Sequence, residues 1–118
     1  MKLVLCLMVA LVAASTFEGR WYGRTDGFRE VWIIGSEPVP SIRFEWRRGS
    51  HLAGSGIASN VRVDERGHLS FTQHIEHKPD PSWPDSNEFS DVWVTGDTLN
   101  FRHRFGSGSV TREQGKRR

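Results

Sequence analysis

Asp91 and His103 are the two residues whose types and spacing most suggest acid–base chemistry. They lie in consecutive strand-like segments joined at the turn Thr95-Gly96-Asp97, and in a simple alternation both side chains point inward. A buried carboxyl or imidazole is costly unless it is paired. On adjacent strands the two side chains can face each other, as a polar anchor for a ligand, as an acid–base pair or as a purely structural pair. The alternative is that both positions lie near the barrel rims and are solvated.

Other side chains add polar and aromatic groups to the same inward face. Glu30, Ser59 and Gln73 are the remaining inward polar residues, and a connection rich in proline, from Glu76 to Asn87, carries Trp83. Loops at the mouth of a barrel often carry binding. The predicted ligand site at this mouth consists of Trp46, Phe71, Trp83, Asp91, Trp93 and His103.

A metal site is not expected. His74, Glu76 and His77 lie close together, but their spacing matches no established zinc pattern, and a solvated strand end explains them. The single cysteine, Cys6, lies in the apolar leader, so the remainder of the chain has neither a disulfide nor a thiolate ligand. We predict no metal and no cofactor.

The elements that position these residues read as eight short strands. Apolar residues alternate, and glycine-containing turns interrupt them at regular intervals. The predicted strands are 19–25, 28–34, 41–47, 56–63, 68–75, 88–94, 98–105 and 109–113. Most gaps have hairpin length, so neighbours in sequence should pair antiparallel, and closure would remove both exposed edges. The expected fold is all-β: an eight-stranded antiparallel up-and-down meander barrel.

Period two also predicts which side chains fill the barrel. The predicted inward apolar residues are Trp21, Phe28, Trp32, Ile42, Phe44, Trp46, Ile57, Val61, Val63, Leu69, Phe71, Ile75, Phe89, Trp93, Leu99, Phe101 and Phe105. An eight-stranded barrel is just wide enough to be filled by side chains or to hold one small ligand. We expect a partly filled barrel with a shallow pocket at one mouth.

The N-terminus has the composition of an export signal. Lys2 precedes an apolar run from Leu3 to Ala14, which is too short to span a bilayer, and small residues follow it. We predict a signal peptide at 1–15, a single barrel domain at 16–118 ending in a short basic tail, and a secreted or periplasmic protein. The net charge of +2 is too small an excess to indicate nucleic-acid binding, and we expect a monomer.

A secreted eight-stranded meander that opens with Gly-x-Trp, here Gly19-Arg20-Trp21, resembles the lipocalins of the calycin superfamily. The resemblance implies that Trp21 lies at the closed end of the barrel and that Arg112, from the last strand, packs over it. The family's middle motif, Thr-Asp-x-x-Tyr, is replaced by Thr95-Gly96-Asp97-Thr98 without a tyrosine. The chain is therefore more similar to compact bacterial lipocalin-like barrels than to animal retinoid carriers.

Three functions are compatible with these features. The first is binding of a small apolar or aromatic molecule at the barrel mouth, which the resemblance favours. The second is an inhibitor-like barrel that binds another periplasmic or extracellular protein. The third is a small barrel enzyme, or a haem protein, that uses His103 and Asp91; no nucleophile or phosphate loop supports it. An open cavity of a few hundred Å³, about the lower range of ligand pockets, would favour the first.

Overall fold

The protein is a closed eight-stranded antiparallel barrel, in a computed structural model that describes residues 16–35 and 41–112. The strands are β1 (Gly19–Thr25), β2 (Phe28–Ile34), β3 (Ile42–Arg48), β4 (His51–Val63), β5 (Leu69–His77), β6 (Ser86–Thr95), β7 (Thr98–His103) and β8 (Gly106–Arg112). Each strand pairs with its neighbours in sequence, and β8 returns to β1, so the predicted fold class is confirmed. The predicted leader (1–15), Glu113 and the basic tail lie outside the described residues. No helix in the described ranges is long and apolar enough to span a membrane.

Turn residues account for most of the strand ends. Asp26 and Gly27 both have positive φ, 51° and 83°, as a tight hairpin between β1 and β2 requires. The first two strands have the predicted limits, whereas β4 begins at His51, earlier than predicted. The predicted loop at 48–55 is therefore only the two-residue turn Gly49-Ser50.

The seam between β1 and β8 is closed at one end only. Trp21 pairs with Arg112 and Tyr22 with Thr111, while no described pair joins Gly23–Thr25 to β8. A Cβ added at Gly23 would lie 2.8 Å from the Val110 side chain, so glycine permits the close approach of the two strands there. Beyond this point the seam is unpaired toward the mouth.

Buried side chains fill the barrel from the closed end to its middle. Phe17, Trp21, Leu99 and Val110 are each at most 1% exposed, and Phe17 lies just before β1. The middle is an aromatic layer made of Trp32, Phe44, Phe71, Phe89 and Phe101. The centroids of its neighbouring rings lie close together, from 4.8 Å for Phe71–Phe89 to 6.4 Å for Phe44–Phe89. Such distances are typical of favourable aromatic pairs.

Two predicted inward residues of β4 point outward. Ile57 is 39% exposed and Ser59 hydrogen-bonds His74 on the outer surface, while Gly54 and Gly56 are buried. Asn60 has a φ of 54° and lies at a register shift, which reverses the alternation. After this bulge Val61 and Val63 pack against the core, as predicted.

A second bulge changes the faces of β6. Phe89 pairs with His103 but Asp91 pairs with Arg102, so β6 carries one extra residue at Ser90. Val92 is therefore fully buried, and Asp91 and Trp93, predicted to point inward, lie on the outer face. The prediction that Phe105 points inward is also wrong, because this residue lies in the β7–β8 turn and is 62% exposed.

Candidate functional site: a cavity at the open mouth

A cavity of about 460 Å³ lies at the end of the barrel opposite Phe17 and Trp21. The β1–β2 and β7–β8 turns and the β5–β6 loop surround its entrance, through Asp26, Phe105 and Trp83 respectively. Ser107–Ser109 of β8 and Arg24 of β1 also line it, so it reaches the unpaired part of the seam. Its volume lies within the range of small-molecule pockets, roughly 300–1,000 Å³.

Aromatic side chains form one wall of the cavity. Trp83 packs edge-on against Trp46, with centroids 5.2 Å apart, and against Phe28, with centroids 5.9 Å apart. The guanidinium of Arg48 covers Phe28 at 4.5 Å from the ring centroid. Trp46 is only 1% exposed, whereas Trp83 is half-buried, so Trp83 is the wall residue nearer to solvent. Phe89 and Phe101 of the aromatic layer also line the cavity.

The β5–β6 loop that carries Trp83 is held in place by its own hydrogen bonds. The Trp83 amide donates to the Asp80 carbonyl at 3.0 Å, and the Ile75 amide donates to the Asp85 carbonyl at 2.8 Å. A Cβ at Gly54 would meet Pro79 at 2.7 Å, because the loop crosses β4 there. These contacts fix Trp83 against the barrel as one side of the entrance.

Glu30 is a buried carboxyl in the cavity. It lies on β2 opposite Trp46 of β3, is 8% exposed, and accepts a hydrogen bond of 3.2 Å from the Trp46 indole N–H to its Oε2. Burial raises the pKa of Glu30, and the hydrogen bond from the Trp46 indole N–H opposes the rise. The side chain forms no salt bridge with any residue of the described ranges.

Two amide side chains lie on the facing strands. Gln73 of β5 and Asn87 of β6 are register partners, are 3% and 9% exposed, and both line the cavity. Asn87 Oδ1 has no hydrogen-bond partner among the described residues, and neither does Trp32 Nε1 in the layer below. Buried polar atoms in proteins are seldom left without a partner. The inner part of the mouth is thus polar, with incomplete hydrogen bonding.

His103 is the imidazole of the site. It stacks on Phe101, with centroids 5.5 Å apart, and its Nδ1 accepts a hydrogen bond of 3.1 Å from the Phe105 amide. Partial burial lowers the pKa of His103, which favours the neutral ring. With Nδ1 acting as the acceptor, the neutral ring carries its proton on Nε2 and can donate one hydrogen bond.

Three of the six predicted ligand-site residues line the cavity: Trp46, Trp83 and His103. Phe71 is buried in the aromatic layer beneath it. Asp91 and Trp93 are outside the barrel, and the predicted Asp91–His103 pair is wrong. Sequence reasoning placed Glu30 and Gln73 inside without assigning them to the site.

Asp91 belongs to a cluster on the outer surface. Its Oδ1 lies 2.7 Å from His68 Nδ1 and 3.6 Å from Arg66 Nη2. The His68 ring stacks on Trp93, with centroids 5.7 Å apart, and the Arg102 guanidinium lies 5.8 Å from the Trp93 centroid. The bulge in β6 is the reason that both predicted site residues are found here.

At the closed end, Trp21 and Arg112 have the arrangement that the family resemblance implied. Arg112 lies over the Trp21 ring at 4.1 Å from its centroid. Its Nη1 and Nη2 donate to the carbonyls of Glu18 and Thr16 at 2.7 and 2.9 Å. Gly19 has a φ of 127°, and a Cβ there would lie 3.1 Å from Arg112 Nη1, which explains the glycine two residues before the tryptophan.

Metal-binding geometry is not found in the described residues. Within them, no three His, Cys, Asp or Glu side chains are grouped so as to hold an ion. His74, which lies near Glu76 and His77 in sequence, has its Nε2 2.6 Å from Ser59 Oγ.

Asn87 was missed because it was placed in the loop that precedes the sixth strand. It alternates with Phe89, so period two extended back by one step would have placed it inside.

Comparison of the chain with protein-family models, with curated proteins and with solved structures found no match in any of the three.

Proposed function

We propose that this chain is an exported lipocalin-like barrel that binds one small aromatic or apolar molecule in the mouth cavity. The observation that carries the proposal is the cavity of about 460 Å³ between an aromatic wall and a buried polar interior. Sites for small molecules combine aromatic and apolar walls with a few polar groups. This cavity has both kinds of lining, with the polar share the larger. The Trp21–Arg112 contact and the leader support the lipocalin-like and exported parts of the proposal.

Burial of a ligand ring against the aromatic wall gives an approximate binding free energy. An aromatic ring system buries about 150–250 Å² of surface. At about 25 cal/mol per Å², this contributes on the order of 4–6 kcal/mol before the cost of ordering the ligand. Burial alone therefore gives weak binding, and tight binding requires the polar groups of the cavity as well.

The competing enzyme proposal loses its geometric basis. It depended on an acid–base pair between Asp91 and His103, and these side chains lie on opposite faces of the barrel wall. His103 has aromatic neighbours and a backbone donor instead.

Tryptophan fluorescence quenching tests the binding proposal, with a panel of small aromatic and apolar compounds. Trp83→Ala removes a wall of the cavity, and Trp93→Ala is the matched control on the outer surface. We expect at least one compound to quench saturably, with affinity reduced about tenfold or more by Trp83→Ala and unchanged by Trp93→Ala. Lack of saturable quenching by every compound, or equal losses in the two variants, would overturn the proposal.

Export is tested separately by the intact mass of the protein recovered from the periplasm or medium. We expect the mature chain to begin at Ser15 or Thr16. A protein that retains 1–14 would contradict the proposed localisation.

A further inference from the structure

The cavity contains a carboxyl group that forms no salt bridge with any side chain of residues 16–35 and 41–112. This group, Glu30, is 8% exposed, and the hydrogen bond it accepts from the described residues is the 3.2 Å contact from the Trp46 indole. A buried carboxylate is normally paired with a positive group, because the interior solvates it poorly. Asp26, the other acid that lines the cavity, differs because it is exposed at the rim, where water solvates its charge.

The facing wall has an acceptor that lacks a donor. Asn87 Oδ1 is buried without a partner in the described part of the chain, on the strand pair that lines the cavity opposite Glu30. Gln73, its register partner, is also buried at the cavity. A group with several N–H donors would satisfy acceptors on both walls, and an ammonium has three.

Aromatic rings surround the space between these acceptors. Trp46 and Trp83 lie on one side, and Phe89, Phe101 and His103 lie on the other. Ring faces attract cations, and they attract them more strongly where water is excluded. A carboxylate inside an aromatic enclosure is the combination that favours an organic cation over a neutral or anionic molecule.

The other charged groups at the mouth provide neither a buried cation nor a second buried acid. Arg24 on β1, Asp26 in the β1–β2 turn and His103 on β7 are the remaining titratable residues that line the cavity. Arg24 and Asp26 are both exposed at the rim, where solvent screens them. Burial lowers the pKa of His103, so its ring adds no positive charge at neutral pH. Glu30 is the acid that a ligand meets inside.

We infer that the cavity binds a small aromatic amine, whose ammonium pairs with Glu30 while its ring packs against Trp46 and Trp83. This inference rests on the proposed binding function and names the ligand class for the same site. Because burial raises the pKa of Glu30, an ammonium that favours the ionised carboxyl would be bound together with release of a proton at acidic pH. A neutral aromatic molecule of the same shape would not have this dependence.

The test is isothermal titration calorimetry with two probes of matched shape, 1-naphthylmethylamine and 1-naphthalenemethanol. On the unmodified protein we expect the amine to bind about tenfold or more tightly than the alcohol, since a hydrogen bond to a charged group is worth about 1.5–3 kcal/mol. Glu30→Gln should weaken amine binding much more than alcohol binding and so remove this preference. Glu88→Gln, at an exposed glutamate outside the cavity, should preserve it.

The outcomes separate the two proposals. Equal affinity for both probes on the unmodified protein would overturn the amine inference and leave the binding function standing, whereas no binding of either probe would count against both. Retained amine preference in Glu30→Gln would overturn the role of Glu30. If Glu30→Gln does not fold, the unmodified protein still decides: amine affinity must rise between about pH 4 and pH 7 while alcohol affinity stays constant, and parallel profiles would reject the inference.

Discussion

The two ends of this barrel treat their buried polar groups in opposite ways. At the closed end the Trp21 indole donates to the Phe17 carbonyl at 2.9 Å, and Arg112 donates to the carbonyls of Thr16 and Glu18. At the open mouth Glu30 has one hydrogen bond, and Asn87 Oδ1 has none among the described residues. The closed end thus stabilises the fold, and the mouth retains polar groups that are free to bind another molecule.

The seam between β1 and β8 follows the same division. It is paired at Trp21 and Tyr22, near the closed end, and unpaired from Gly23 to the mouth. Arg112 takes part in both features, because it pairs with Trp21 in the ladder and covers its ring. The backbone pairing that closes the barrel therefore lies near the closed end. Toward the mouth, β1 and β8 are not paired, and the barrel fold does not require pairing there.

The largest expected effect is that of Trp21→Ala. Trp21 is fully buried between Phe17 and Arg112, and large-to-small changes of this type cost about 3–5 kcal/mol. Trp83→Ala is the comparison at the mouth, where the half-buried ring should cost clearly less. Urea unfolding measures both. Equal losses in the free energy of unfolding would contradict the division between a stabilising end and a binding end.

Arg112→Ala should have the next largest effect. It removes the packing over Trp21 and leaves the carbonyls of Thr16 and Glu18 without their donor, at a cost of about 1–3 kcal/mol. Arg20→Ala, at an exposed arginine of the same strand as Trp21, should stay within about ±0.5 kcal/mol. A loss for Arg112→Ala within this surface range would remove the support that the contact gives to the lipocalin-like assignment.

The open mouth should respond to pH through Glu30. Burial raises its pKa in the folded state, so the folded protein binds more protons than the unfolded chain between the unfolded value, about 4.3, and the raised value. The free energy of unfolding should therefore fall as the pH rises through this window. Glu30→Gln retains an acceptor for Trp46 and should flatten the fall, so the variant should be more stable than the unmodified protein at pH 8. Thermal melts from pH 4 to 8 check this against Glu88→Gln, and parallel curves for the two variants would contradict it.

The sequence was sufficient for the strands and their closure. Glycine turns such as Asp26-Gly27 and alternating apolar residues predict eight hairpin-linked strands, and an eight-stranded sheet removes its edges by closing. The Gly19, Trp21 and Arg112 contact was also predicted, through the family resemblance. Trp46, Trp83 and His103 were assigned to the mouth and line its cavity.

Two bulges that alternation does not reveal explain most of the misplaced side chains, and the bulge in β6 explains the errors in the site. The extra residue at Ser90 moves Asp91 and Trp93 to the outside, and Asn60 reverses the face of Ile57 relative to Val61. A bulge depends on pairing with both neighbouring strands, and nothing local in these segments marks it. The predicted partner of His103 was consequently wrong, while Glu30, on a strand without a bulge, was correctly placed inside.

The smallest effect concerns His103, at the rim of the same cavity. Burial lowers its folded pKa below the unfolded value of about 6.5, so the unfolded chain binds more protons in the window between the two. The free energy of unfolding should rise with pH through this window, which is the opposite sign to Glu30. His103→Gln should remove the rise and His51→Gln, at an exposed position, should not.

Because His103 is only partly buried, we expect a difference below about 0.5 kcal/mol. Detecting it requires paired melts at pH 5 and pH 7.5. If His103→Gln instead steepened the dependence, the imidazole would be charged in the folded protein, and the mouth would then hold a cation of its own near Glu30.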